Sequence, residues 1–318
     1  MRRIFFCLAL LLIPGLCLAA QTGKKQASPG WHGNIAVGGG VLTGIPSQLD
    51  AENAEREIDS LDKRARHTTR AIPLARLELG YKISDKTDIY FKNRDGQGIS
   101  LALGMDREIS AGGKVGAEIF YAWRDVWKDP YITGEDREKT TVSELGTELR
   151  WDGIMHSGLN LSYVLARRYI NDDETGDRNS DLRRTGYRHA LRAGYEFDLG
   201  RAGRIEPFVR TAYFDAQGKS NRYMGYGGGV EHSLRLSEWM FKTTAFIQHH
   251  DFSDKHPDFA EKRSESQMGI SENIIRNNPF GWENFFYNIR LGYFRISARQ
   301  DFYEASLGVF TLGAGYRF

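Results

Sequence analysis

From Trp31 to the carboxy terminus the chain repeats one pattern: about ten residues alternate apolar with polar or small, and turn-forming residues follow. Alternation with period two marks a strand whose two faces meet different surroundings. The last residues show it most cleanly. Phe310, Leu312, Ala314, Tyr316 and Phe318 share one side; Thr311, Gly313, Gly315 and Arg317 share the other. A second segment sets Ala75, Leu77, Leu79, Tyr81 and Ile83 against Arg76, Glu78, Gly80 and Lys82. A sixth sets Leu145, Thr147, Leu149 and Trp151 against Glu144, Glu148 and Arg150. An eighth sets Tyr187, Leu191, Ala193, Tyr195 and Phe197 against Arg188, Arg192 and Glu196. The thirteenth sets Phe285, Tyr287, Ile289, Leu291 and Tyr293 against Asn284, Asn288 and Arg290. Such segments number about fourteen, with twelve to sixteen open, and the one near 265–275 has the faintest pattern.

This pattern predicts an all-β fold: a transmembrane antiparallel up-and-down β-barrel, whose alternate residues meet lipid. A mean hydropathy of −0.49 excludes a bundle of membrane helices. Past residue 20 the chain has no unbroken apolar run of the ~18 residues a membrane helix needs. The six tryptophans, Trp31, Trp123, Trp127, Trp151, Trp239 and Trp282, fall at or near strand ends, where indoles sit at the lipid–water boundary. Prolines avoid strand centres, as ladder hydrogen bonding requires. A soluble β-sandwich would also alternate, but it would not call for aromatic girdles, a terminal aromatic and an export leader together.

That leader is present. Met1-Arg2-Arg3 precedes an apolar run from Ile4 to Leu18, and small residues follow near Ala19 and Ala20. Residues 1–20 read as a cleaved signal peptide, 21–30 as a short periplasmic leader and 31–318 as one barrel domain. Pro14-Gly15 argues against an uncleaved anchor, and Cys17 follows Leu16, which does not suit lipid modification. Both cysteines, Cys7 and Cys17, lie in the signal, so disulfides and thiolate chemistry are excluded from the mature chain. The whole chain carries 43 basic and 41 acidic residues. Loss of Arg2 and Arg3 leaves 41 of each, which argues against binding nucleic acid through bulk charge.

The connections alternate in length. Those after strands two, four, six, eight, ten and twelve are mostly short and should face the periplasm; several of the others, at 43–70, 127–138, 171–184 and 251–263, are long and charged and should face outward. The first is longest. Its stretch from Leu49 to Leu61 suits a short helix capped by Asp50. Two readings of this connection stay open: it folds inward and narrows the lumen, or it is a mobile surface loop, which is the simpler. Asn171 to Asp177 superficially resembles a calcium loop, but Leu182 stands at its twelfth position, where a bidentate glutamate is needed. Lys63-Arg64-Ala65-Arg66 suits contact with lipid phosphates or plain solubility.

Function lies on the inward positions. Many are glycine: Gly80, Gly104, Gly116, Gly146, Gly194, Gly225, Gly227, Gly229, Gly292, Gly313 and Gly315. They either leave a water-filled lumen or make room for inward aromatics such as Phe120, Phe246 and Phe286. Charged residues share that parity, and the candidate pore-lining set is Arg76, Glu78, Glu148, Arg150, Arg188, Arg192 and Arg290. Rings of charge tune which solutes pass, while ion pairs stiffen a wall; the second reading suits most of these residues better. Arg188 and Arg192 form the best candidate for a basic stripe facing an anionic solute. Ser162 and His189 lie on neighbouring strands with opposite parity, and spacing shows no nucleophile–base–orienter trio, so enzyme activity is not expected.

The Leu312 to Phe318 finish resembles the closing strand of bacterial outer-membrane barrels, whose terminal aromatic is read by the insertion machinery. With the Trp31-His32-Gly33 start and the long acidic first loop, the chain is similar to an uncharacterised family of barrels, a domain of unknown function. The resemblance implies the outer membrane of a Gram-negative bacterium, with lipid, lipopolysaccharide and the insertion machinery (through Phe318) as partners. The function expected is a passive, porin-like channel for small hydrophilic solutes, with no cofactor and no metal. A non-conducting adhesion or structural barrel is the alternative, and an outer-membrane hydrolase a more distant one.

Overall fold

The computed structural model describes residues 29–94, 98–110 and 112–318. The signal and leader expected over 1–28, and the turn expected at Asp95-Gly96, lie outside the described residues. Fourteen strands follow one another: β1 (Gly30–Ile45), β2 (Thr68–Ser84), β3 (Thr87–Asn93), β4 (Ile99–Glu108), β5 (Lys114–Trp127), β6 (Lys139–Asp152) and β7 (Leu159–Ile170). The second half is β8 (Gly186–Tyr195), β9 (Arg204–Ala216), β10 (Tyr223–Leu236), β11 (Trp239–His256), β12 (Glu261–Asn277), β13 (Phe285–Ala298) and β14 (Ala305–Arg317). A two-residue strip, Phe197–Asp198, continues β8 beyond Glu196 and pairs with β9. Each strand pairs antiparallel with the next, and β1 closes the ring on β14 from Asn34↔Arg317 to Ile45↔Ser306. Gly33 and Phe318 exchange backbone hydrogen bonds of 3.0 and 3.1 Å at the seam.

The strands form where the sequence alternates, and the parity is the expected one. Trp31, Val37, Leu145 and Ile247 stand outward, each more than half exposed, and Tyr90, Ala102, Phe120 and Ala166 are buried on the inner face. The faint pattern near 265–275 belongs to one of the longest strands, β12. It is faint because Glu272 breaks the outward apolar row, taking the Thr243 hydroxyl of β11 as partner.

The start of β1, Phe318 and six short connections lie at one end of the barrel; the long connections lie at the other. The terminus end carries an aromatic band in which Trp31 meets Tyr81 edge-on at 5.1 Å and Phe285 meets Tyr316 at 5.1 Å. Trp127 departs from the girdle expectation. It is 1 % exposed, because the loops close over it and its indole donates to the Gln48 carbonyl at 3.0 Å. The connection expected over 251–263 is far shorter, 257–260. Strands β11 and β12 run on past a register shift between Asp251 and Lys255, so the charged residues sit on a ladder and not in a loop.

Three of the long connections and the β11–β12 turn pack together over the loop end. Ile58, Tyr131, Phe302 and Tyr303 form an apolar cluster there, with Leu49, Leu61 and Phe259 against it. The helix expected from Leu49 to Leu61 is absent. Asp50 does start one turn, accepting from the Glu52 amide on its side chain and from the Ala54 amide on its carbonyl. The chain then leaves the helical path to pair Glu57 with Asp136, so an inter-loop bridge outcompetes local propensity.

Candidate functional site

Two unlike walls face each other across the lumen. The wall built by β3 to β8 is charged. Glu118, 3 % exposed, accepts from the Tyr90 hydroxyl at 3.1 Å and meets Lys92 and Arg94, each at 2.9 Å. Arg94 also reaches Glu148 at 2.5 Å. Arg150 meets Asp106 at 2.9 Å and donates to the Tyr90 hydroxyl at 2.6 Å. Arg168 and Arg188 share Glu144. Arg192 bridges Glu206 at 2.6 Å and Glu231 at 3.1 Å, and Lys242 also holds Glu231.

All seven residues singled out from sequence take inner-face positions, but they do not form one cluster. Glu148, Arg150, Arg188 and Arg192 belong to the charged wall. Glu78 accepts from the Asn34 side chain at 2.9 Å. Arg76 lies opposite Ala36 on the neighbouring β1, and Arg290 lies across the barrel, opposite Asn273 and Thr311. Arg188 and Arg192 do share one strand and one face, yet each is taken by carboxylates, so the stripe is largely neutralised. Sequence reasoning missed Tyr90, Lys92, Arg94, Asp106 and Arg168. Their parity was readable, but β3 is short, and its role as the anchor of a network was not.

The opposite wall, from β11 round to β2, carries more apolar side chains and glycines, with Arg76, Glu78, Lys242 and Arg290 among them. Phe246, Phe294, Leu307, Val309, Leu42, Ile72 and Leu74 occupy inner positions. Leu42, Phe246, Gly269, Gly292, Phe294, Leu307 and Val309 surround a recess of about 280 Å³. Around the whole barrel the two readings of the inward glycines resolve. A Cβ on Gly269 would lie 2.6 Å from the Phe246 ring, one on Gly229 2.7 Å from Phe208, and one on Gly146 2.5 Å from Phe120. Each inward ring lies down over the glycine of a neighbouring strand. Room for the aromatic and room for the lumen are therefore one effect: a ring flat on the wall does not project into the lumen.

Over the mouth lies residue range 46–67, a lid fixed from several sides. Arg137, fully buried, donates to the Gln48 carbonyl and side chain at 3.0 Å each, to the Pro130 carbonyl at 3.1 Å and to the Glu55 carbonyl. Its guanidinium stacks over Trp127 at 4.5 Å. Burial pushes Arg137 down to about 10, with Glu55 pulling the other way, so it stays charged at neutral pH. Burial raises the Tyr131 and Tyr303 phenols, which stay neutral and share a hydrogen bond of 3.2 Å. Arg64 ties the lid to Glu304 at 2.8 Å, and Arg70 of β2 holds Glu52 at 3.0 Å. The inward-folding reading of the first connection is the one the structure carries: Leu49 reaches the lumen and helps line a chamber of about 270 Å³ with Arg124, Arg168, Phe214 and His250. A second chamber of about 340 Å³ adjoins it, lined by Arg94, Phe120, Arg124, Glu144, Arg168 and Arg188.

Ser162 faces the lumen and His189 faces outward, where it meets the Tyr163 hydroxyl at 2.8 Å. The outer face does hold a serine–histidine contact that spacing did not reveal. His249 lies 3.3 Å from the Ser264 hydroxyl and 3.2 Å from that of Ser266. Neighbouring Asp251 is engaged by Lys262 at 3.0 Å and does not orient the imidazole.

The chain matches, over residues 30–317, the family described as Protein of unknown function (DUF2860). It belongs to that family. Nothing among curated proteins matches it. Solved structures similar to it include a loop L8 deletion mutant of OmpT, an outer membrane protein of Vibrio cholerae, at 10 % identity and a TM-score of 0.43, covering 92 % of this chain and 99 % of that one. An anion-selective porin from Comamonas acidovorans is similar at 11 % identity and 0.43, covering 92 % and 99 %. LpxR from Salmonella typhimurium is similar at 12 % identity and 0.40, covering 68 % and 88 %. The DUF2860 chain is a closed antiparallel β-barrel with an apolar outer face.

Proposed function

We propose that this DUF2860 protein is a passive, porin-like channel for small hydrophilic solutes, set in the outer membrane of a Gram-negative bacterium with its lid facing outward. The observation that supports this most is the inner wall. Its aromatic rings lie flat on glycines, its charges pair with one another along the wall, and chambers of about 270 and 340 Å³ remain inside. A packed barrel would fill that space with side chains instead. The lid narrows the outer mouth, so the channel is small. Its partners in this reading are lipid, lipopolysaccharide and, through Phe318, the insertion machinery. Single-channel recording of the refolded protein tests it: discrete conductance steps support a pore, and their absence ends the reading.

A second reading rests on His249 with Ser264 and Ser266, on the outer face, as a hydrolytic pair acting on an ester at the membrane surface. Ester turnover lost in Ser264→Ala would support it. The imidazole lacks an orienting carboxylate, so the channel reading stands first.

A further inference from the structure

The wall has a gap. Strand β2 pairs with β1 along its whole upper length, to Gly44↔Thr68, but its pairing with β3 ends at Glu78↔Lys92. Above that level the side chain of Asn93 takes the last β2 groups, accepting from the Leu77 amide at 2.7 Å and donating to the Ala75 carbonyl at 2.9 Å. The odd-numbered residues of β2 therefore turn their backbone groups toward β3. Thr69, Ala71 and Pro73 do so with no strand beside them among the described residues. Pro73 brings no N–H to that edge, which suits an unpaired position. Across the gap, β4 begins at Ile99, opposite Trp123, and β5 continues alone on that side to Trp127.

The gap is framed, and its β2 edge runs beside outward valines of β1. Its floor is the top of the β3–β4 pair, where the Arg94 amide donates to the Ser100 carbonyl at 2.8 Å. Its ceiling is the lid, where Glu52 meets Arg70 and Gln48 meets Trp127. Ala71 and Ala75 sit opposite Val41 and Val37, which are outward and 40 % and 62 % exposed. Bare sheet edges do not face hydrocarbon; irregular backbone at that depth survives only where it lines a wet cavity or is covered by protein. Such a cavity lies directly behind. The chamber of about 340 Å³ is lined by Arg94, Ser100 and Trp123, all on the rim, and continues to Arg124, Arg168 and Arg188.

The charge there is uneven. Arg168 and Arg188 share the single carboxylate of Glu144, and Arg94 is held by Glu118 and Glu148. Arg124 has no hydrogen-bond or ion-pair partner among the described residues; Arg168 repels it, and Asp50 and Glu52 of the lid and Glu144 of the chamber attract it only at longer range. From this we infer that the gap between β2 and β5 is a lateral window through which an anionic single-chain amphiphile moves between lumen and membrane. Its head group lodges at Arg124 in the chamber, and its tail passes the short outward side chains of Ala71, Pro73 and Ala75 into lipid. The inference rests on the lumen being a wet path, and it names a class of ligand for that path.

The test uses the full mature chain in phosphatidylcholine vesicles. Residues 21–318 hold no cysteine, so single-cysteine variants carry one label each. A fluorophore is placed at Ala71→Cys, beside the window, or at Ala193→Cys, on the fully paired β8. The probe is dodecanoate bearing a nitroxide at the tail end. A saturable quenching component is expected at position 71 and not at 193, displaced by plain dodecanoate and not by its methyl ester. Arg124→Gln should weaken it about tenfold and Arg124→Lys less than about threefold, with folding of each checked by the gel shift on boiling. Quenching that is equal and unsaturable at both positions, or unchanged in a folded Arg124→Gln variant, overturns the window. Conductance is recorded on the same preparation. Conductance without a saturable component sinks the window alone; a saturable component without conductance sinks the channel alone.

Discussion

The two inner walls spend the same inward parity on opposite ends. Along β3 to β8 the inward residues are carboxylates and guanidiniums that tie neighbouring strands to one another through side chains. From β11 round to β1 glycines and rings are more frequent among them, beside Lys242, His250, Glu265 and Arg290, and the strands approach closely through backbone and flat aromatic faces. The first wall is held by part-buried charge centred on Glu118, where the network counts and losing one carboxylate leaves its cations uncompensated. The second is held by fit. One wall should therefore tolerate small changes of shape and resist losing a charge, and the other the reverse.

The largest effect should come from crowding the second wall at the seam. A Cβ at Gly40 would run into the Phe310 carbonyl and lie 2.7 Å from Thr311 of β14, both rigid backbone neighbours. Gly40→Val should cost upwards of about 2 kcal/mol and abolish most of the heat-modifiable folded form on gels. On the first wall, Glu118→Gln leaves Lys92 and Arg94 without their shared carboxylate. A loss of about 1–3 kcal/mol is expected in urea unfolding, with Phe120→Leu beside it nearer the lower figure. If Gly40→Val costs less than Glu118→Gln, the contrast between the walls is wrong.

Smaller effects sharpen the account without breaking the fold. Arg137→Met removes every hydrogen bond from that side chain to the lid while keeping its bulk, and should raise the single-channel step by about twofold or more. Arg192→Gln should shift anion preference by less than about twofold, because Glu206 and Glu231 already neutralise that guanidinium.

Much of this was legible in the chain. Parity follows from backbone geometry, so Leu145 outward and Glu144 inward needed only the alternation. The strand count followed from turn residues, and the inward glycines from the same register. The lid was not legible in its docked form. Its hold depends on Arg137 meeting Gln48 and on Tyr131 meeting Tyr303, residues far apart in sequence, and no local signal marks such pairs. The helix expected at Asp50 failed for the same reason, since the bridge from Glu57 to Asp136 is a long-range competitor. Nor was the gap beside β2 visible beforehand: it arises from the difference in length between β2 and β3, and strand ends are where sequence patterns fade.

The account stands on a lumen that water and ions cross beneath a docked lid. Recording the refolded chain and its Arg137→Met variant side by side in a planar bilayer addresses that point. Small discrete steps from the native chain, and larger ones from the variant, are what the structure leads us to expect. Silence from both proteins, with each shown to be folded by its shift on boiling, would contradict it.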